Sequence, residues 1–172
     1  QGIAITAIIV SLLSPILGAF ADRGGYRKFF LIFFTWMCAI FSIVLYFPKA
    51  GDVYFALSIF VLANIAFELG SVFCNSYLPD ISSKHNIGRI SGFSWGLGFL
   101  GGILALFLAL FLFPNLDDVG IRKINILVGC WFLIFSLPTF LFLKDRKKKK
   151  FTKIHAIESW SSVKNTFIEV RK

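Results

Sequence analysis

Apolar residues along this chain gather into five long runs, residues 2–20, 29–47, 53–77, 90–113 and 124–143, separated by short polar stretches. A helix needs about 20 predominantly apolar residues to cross the hydrocarbon core. Inside that core only a helix or a closed barrel satisfies its own backbone hydrogen bonds. Runs this long, without strand-like alternation, predict an all-α polytopic bundle over residues 1–143 with about five transmembrane helices. The remainder, 144–172, has a different pattern: KDRKKKK, then Ile154, Ile157, Trp160, Val163 and Phe167 recurring on one helical face. That reads as a basic linker carrying an amphipathic helix on the membrane surface.

Polar and small positions inside the runs distinguish the helices from one another. In the first run Ser11, Ser14, Gly18 and then Asp22 share a face, and Pro15 invites a kink. The second run is dense in Phe, Ile and Leu with only Thr35, Cys38 and Ser42 as weakly polar members, so it is expected to be the most lipid-exposed. The third places Asn64, Glu68, Ser71 and Asn75 four, three and four residues apart, on one narrow stripe. Glu68 is the carboxylate deep in an apolar run. An ionised carboxylate facing lipid costs at least about 2.5 kcal/mol, so it must face a cavity or a partner, or hold a proton. Glu68, with Asn64 and Asn75 beside it, is the candidate for proton coupling or for binding a substrate cation; a structural hydrogen bond to another helix is the alternative. The fourth run presents Gly92, Gly96, Gly98, Gly101 and Gly102 among other small residues, a surface suited to close helix packing. The fifth has only a mild polar stripe.

Composition agrees with a bilayer environment. The 172 residues are 57% hydrophobic, include 22 Phe and are only 16% charged, where a soluble domain averages nearer a quarter charged. The formal net charge of +9 does not point to nucleic acid, because the basic residues sit in loops between apolar runs. They cluster in loops 21–28 and 78–89 and in 144–172, which predicts that these three face the cytoplasm and that the nearly neutral loops around Asp52 and Asp117 face away. The membrane would be the plasma or inner membrane in a bacterium. Cys38, Cys74 and Cys130 form no metal-ligand spacing and read as buried small hydrophobes, and His85 has no second ligand nearby. No metal or cofactor is expected. Neither paired acids nor a nucleophile with a base is apparent, so an enzyme is not expected. A membrane scaffold or anchor remains the alternative to a transporter.

The stretch GAFADRGGYRK, Gly18 to Lys28, compresses a turn and several charges between two runs. Its Gly18, Asp22, Arg23, Gly25, Arg27 and Lys28 resemble the loop signature G-x-x-x-D-[RK]-x-G-x-[RK]-[RK] of the major facilitator superfamily. Farther on, Asn75, Leu78, Pro79, Asp80, Arg89, Ser91, Gly92, Gly98, Gly101 and Gly102 resemble the segment after the fourth helix in the vacuole-effluxer-like, autophagy-related branch of that superfamily. The resemblance implies secondary transport of a small solute, amino acids among the candidates, by alternating access and driven by a gradient, with protons as the coupling partner. It implies that the five runs are the second to sixth helices of an N-terminal half, whose first helix and C-terminal half lie outside this sequence. It also implies that Asp22 takes part in a conformational latch. The arginine that many facilitators carry in the fourth helix has no equivalent, nor does the fifth helix have the proline of drug antiporters. From the loop order, Asp80 is expected near Arg23 and Arg27.

Overall fold

Every apolar run becomes a helix, and the departures from the expected bounds have local causes. The computed structural model describes residues 2–49, 51–115 and 117–144, apart from the side chains of residues 19, 20 and 22–24. The helices are α1 Gly2–Gly24, α2 Arg27–Val44, α3 Val53–Asn75, the short α4 Leu78–Ile81, α5 Ile87–Leu112 and α6 Asp118–Phe142. The amphipathic helix expected in 144–172 lies, beyond Lys144, outside the described residues. Four helices, α2, α3 with its α4 extension, α5 and α6, are long and apolar enough to cross a membrane. The apolar part of α1 is shorter, Gly2–Gly18, because the motif's Asp22 and Arg23 belong to the helix rather than to the loop.

The turn after α1 is closed by a glycine in the left-handed region. Gly25 has φ 64°, and Tyr26 N–H donates to Ala21 C=O at 3.0 Å, the six-to-one bond of a Schellman ending. Pro79 does not break structure as a loop proline. It stands in the first turn of α4, where a missing N–H costs nothing. The start of α6 also moves earlier than the apolar pattern, because Asp117 accepts the Gly120 N–H at 2.8 Å as an N-cap. Arg122 and Lys123, read as loop, are therefore helical.

Helix α2 is the centre of the bundle, packed between α3 and α6, and α1 lies against α3. This corrects the expectation that the second run is the most lipid-exposed. Phe34, Thr35, Cys38 and Ala39 of α2 are all buried. Its Phe30 and Phe34 stack on Phe73 of α3, with centroids 5.2 and 5.8 Å apart. In a bilayer, lipid tails and protein interiors are equally apolar, so hydrophobic density does not reveal which helix is enclosed; close approach between helices does. The α2–α6 contact shows it. A Cβ on Gly129 would lie 2.6 Å from Ile43 Cγ1 and 2.8 Å from the Ala39 carbonyl oxygen. One helical turn earlier, Asn125 Nδ2 donates to the Leu45 carbonyl of α2 at 3.4 Å.

Helix α5 stands apart, touching α6 and α4 only slightly, with Ala109 its one buried residue. Around Gly92, Gly96, Gly98, Gly101 and Gly102 a Cβ would meet nothing within 4 Å among the described residues. The surface expected to pack closely is open here. Of the cysteines, Cys38 is buried as expected, whereas Cys74 and Cys130 are exposed on helix faces. A small thiol in lipid needs no burial, which is why sequence alone misplaces it.

Candidate functional site

Two groups of residues stand out once the helices are in place, one at the end of the bundle where the basic loops lie and one along α3. At the loop end, α1 finishes, α2 begins and α3 runs into α4, so residues far apart in sequence converge. Arg27 Nη1 donates to Asp80 Oδ2 at 3.0 Å and to the Ser76 carbonyl at 3.1 Å. Its guanidinium also lies 5.9 Å from the centroid of the Tyr77 ring. The side chains of Arg27 and Asp80 are only 15% and 19% exposed. Beneath them Ala21, Phe73 and Tyr77 belong to one buried cluster with Leu31 and Leu69. The expected proximity of Asp80 to Arg27 is therefore present. The side chains of Asp22 and Arg23, which complete the motif, lie outside the described residues, and Lys28 is half-buried beside Arg27.

This pair ties α2 to the α3–α4 junction, and a double-mutant cycle can measure it. Asp80→Ala is expected to cost about 1 to 2 kcal/mol, the range of a charged hydrogen bond that is partly screened. Arg27→Ala is expected to cost more, because it also removes the Ser76 bond and the contact with Tyr77. The double variant should lose less stability than the sum of the two single losses, read as thermal melting of the purified protein. Strict additivity would show that the ion pair contributes nothing.

Along α3, the polar stripe turns away from the bundle's core. Ala66, Leu69, Gly70 and Phe73 bury one side of the helix. At 100° per residue Glu68 lies roughly 160° around from Ala66. Glu68 and Asn75 are exposed, and Asn64 and Ser71 are half-buried. On a helix otherwise made largely of Val, Leu, Ile and Phe, Glu68 and Asn75 thus face open space, while Ser71 lines a groove whose other wall is α6. Among the described residues, no three His, Cys, Asp or Glu side chains come together in a way that could hold a metal ion.

Sequence reasoning missed Arg122, whose guanidinium lies 5.7 Å from the Tyr46 ring at the opposite end of the bundle. Its position in a supposed loop hid the helical geometry. Ser14, which the sequence places on the polar face of the first run, has a buried hydroxyl with no hydrogen-bond partner among the described residues, beside Pro15 in α1.

An all-helical bundle with four helices long and apolar enough to cross a membrane, whose α2 is tied through Arg27 to Asp80 in α4, defines a multi-pass membrane protein. The chain belongs to the vacuole effluxer Atg22-like family, whose model matches residues 2–172. It is 23% identical over 178 residues to an uncharacterized MFS-type transporter, YxiO, of Bacillus subtilis, covering 99% of this chain and 42% of that protein. It is 24% identical to autophagy-related protein 22 of Pichia angusta and 22% identical to that of Coccidioides immitis, covering 86% and 83% of this chain and 31% and 33% of those proteins. The chain therefore spans between about a third and two fifths of the length of these relatives. No solved structure matches it.

Proposed function

We propose that this chain is the N-terminal half of a secondary active transporter that moves a small solute, amino acids foremost, by alternating access coupled to a proton gradient. The observation that carries the proposal is the exposed Glu68, with Asn64 and Asn75 along the same face of a 23-residue apolar helix, turned away from the packed core. A charge in that setting is too costly to face lipid, so the face borders the solute path or a partner helix that completes it. The family description, vacuole effluxer, and the description of the Bacillus subtilis relative as an MFS-type transporter support a transport role.

In this reading Asn64 and Asn75 supply hydrogen bonds to the solute, and Glu68 carries the coupling proton or meets a substrate ammonium. Asp22 belongs to a latch that holds the basic-loop side closed, and the Arg27–Asp80 pair keeps the loop in register beneath it. The glycine face of α5 allows the C-terminal half of the protein to approach closely and shift during the cycle. No nucleotide-binding motif is called for, because the gradient supplies the energy.

Orientation follows from the basic loops and is directly testable. A cysteine at Ser83 should react only with reagents that reach the cytoplasm, and one at Asn115 only with reagents added outside; Cys38, Cys74 and Cys130 are first replaced by serine or alanine. The reverse pattern would invert the topology. For transport itself, uptake of labelled amino acids into proteoliposomes with and without a pH gradient separates a transporter from a scaffold, since a scaffold gives no uptake above protein-free vesicles in either condition.

A further inference from the structure

We infer that the Ser14 hydroxyl and the Ser11 carbonyl of α1 form a dock for the protonated carboxyl of Glu68, an inference that rests on the reading of Glu68 as carrier of the coupling proton. The starting observation is a hydroxyl left without a partner. Thr6, Ser11, Thr35, Ser58, Ser94 and Ser136 each donate to a backbone carbonyl three or four residues earlier, the usual way a helix satisfies a hydroxyl. Ser14 Oγ is buried and makes no such bond. One residue on, Pro15 has no N–H to give the Ser11 carbonyl, while the Ser11 hydroxyl is turned to the Ile8 carbonyl at 2.8 Å. Ser11 and Ser14, three apart, share a side of α1. That side offers one donor and one acceptor within a single turn.

The packing of α1 on α3 brings Glu68 beside it. A Cβ on Gly2, at the start of α1, would meet Leu57, Phe60 and Val61 of α3. Leu57, Val61, Asn64 and Glu68 are spaced four, three and four apart, so the stripe under the start of α1 is the one that carries Glu68. At the other end Ala21 joins the buried cluster of Phe73 and Tyr77, with Val10 and Leu17 packed on it. The two helices therefore run side by side in the same direction. Ser14 comes twelve residues after Gly2 and seven before Ala21, which sets it level with α3 between Ala66 and Phe73, and Glu68 falls in that interval. Packed helix axes lie about 8 to 10 Å apart with Cα atoms about 2.3 Å out from each, a gap that a glutamate arm crosses to reach a serine.

The chemistry of the dock selects the protonated form. An ionised carboxylate only accepts, whereas a protonated carboxyl donates through its O–H and accepts through its C=O. The Ser11 carbonyl and the Ser14 hydroxyl match the second form at two points and the first at one. No other charge competes at this depth, since residues 2–21 of α1, 29–44 of α2, 124–142 of α6 and the rest of α3 carry none. The protonated side chain thus folds in between α1 and α3, and the ionised one returns to the open face on which Glu68 stands. Ser14 neither gains nor loses a proton; it is a positioning residue for the group that does.

The test is an infrared difference spectrum between low and high pH, recorded on the full-length protein in lipid vesicles. The C=O band of protonated Glu68 is identified as the one missing from Glu68→Gln. Ser14→Ala removes the donor, and Pro15→Ala returns a backbone N–H that competes for the Ser11 carbonyl. Each should move the band to higher frequency, as a carboxyl does on losing a hydrogen bond, and Ser14→Thr, which keeps the hydroxyl, should leave it at the parent position. Ser14→Ala exchanges an unpartnered hydroxyl for a methyl and Pro15→Ala a helix breaker for a helix former, so both should melt as the parent does. A band that neither substitution moves, or the absence of any Glu68 band, would overturn the dock. The readout requires no transport: a band that moves as expected in protein that accumulates no solute keeps the dock and removes only the coupling role given to Glu68.

Discussion

Glu68→Gln is expected to leave solute exchange across the bilayer intact and to abolish proton-driven accumulation. Glutamine keeps the length of the side chain and most of its hydrogen-bonding capacity, so a solute held by Asn64, Asn75 and the residue at 68 still binds. What it loses is the exchangeable proton. With the stripe facing away from Ala66, Leu69 and Phe73, the substitution removes no contact on which the core depends, and the protein should melt as the parent does. The two readouts separate the possible roles. Loss of exchange and accumulation together would assign the carboxylate to a substrate ammonium instead of a coupling proton. Full proton-driven accumulation would remove Glu68 from the mechanism and leave it as a partner for another helix, in which case Glu68→Leu should lower stability by leaving an amide unpaired.

The second large effect concerns assembly. Gly129→Leu is expected to prevent accumulation of folded protein, because even a Cβ would sit 2.8 Å from the backbone oxygen of Ala39 and 2.6 Å from Ile43. Overpacking of ordinary cores costs about 1 to 3 kcal/mol where side chains can adjust. Here the obstacle includes backbone, and α2 would have to leave α6 along a contact that Asn125 also holds. Gly98→Leu is the control. Its surroundings are open, and it exchanges a poor helix former for a good one. It should fold like the parent in fluorescence-detected size exclusion, yet slow transport if α5 slides against the other half. Comparable loss of folded protein for the two variants would mean that α5 is packed as tightly as α6.

The contrast between these two glycines shows where sequence speaks clearly and where it does not. The five-fold alternation of apolar runs and polar breaks was legible, because a bilayer leaves an apolar run of some 20 residues without strand-like alternation no option but a helix. The meeting of Arg27 with Asp80 was legible too, since adjacent helices alternate in direction and bring alternate loops to one end. Which helix lies at the centre was not. Helix α2 carries more Phe than its neighbours and still forms the middle of the bundle, since burial in protein and exposure to lipid select the same residues. The dense glycines of α5 drew attention to an open face, while the single Gly129, inconspicuous among Val, Leu and Ile, marks the tightest glycine approach between two helices. Its significance depends on facing Ala39, and a facing residue is a tertiary fact. Helix ends shifted for a simpler reason: Asp117 and Asn86 precede starts that an apolar criterion places several residues late, because charged first turns are still helix.

The stripe on α3 sits between these cases. Its spacing identified one face of a helix, and the structure adds that Glu68 is directed away from the core residues Ala66, Leu69 and Phe73.

Reconstituted into liposomes, the full-length protein provides the most direct measurement: accumulation of labelled amino acids against their own gradient, with an imposed pH difference as the only driving force. The account predicts uptake above the external concentration that collapses on adding a protonophore and is absent from Glu68→Gln vesicles, which still show counterflow. Vesicles that contain well-folded protein yet take up no labelled solute above protein-free controls, with or without the pH difference and in counterflow, would contradict it.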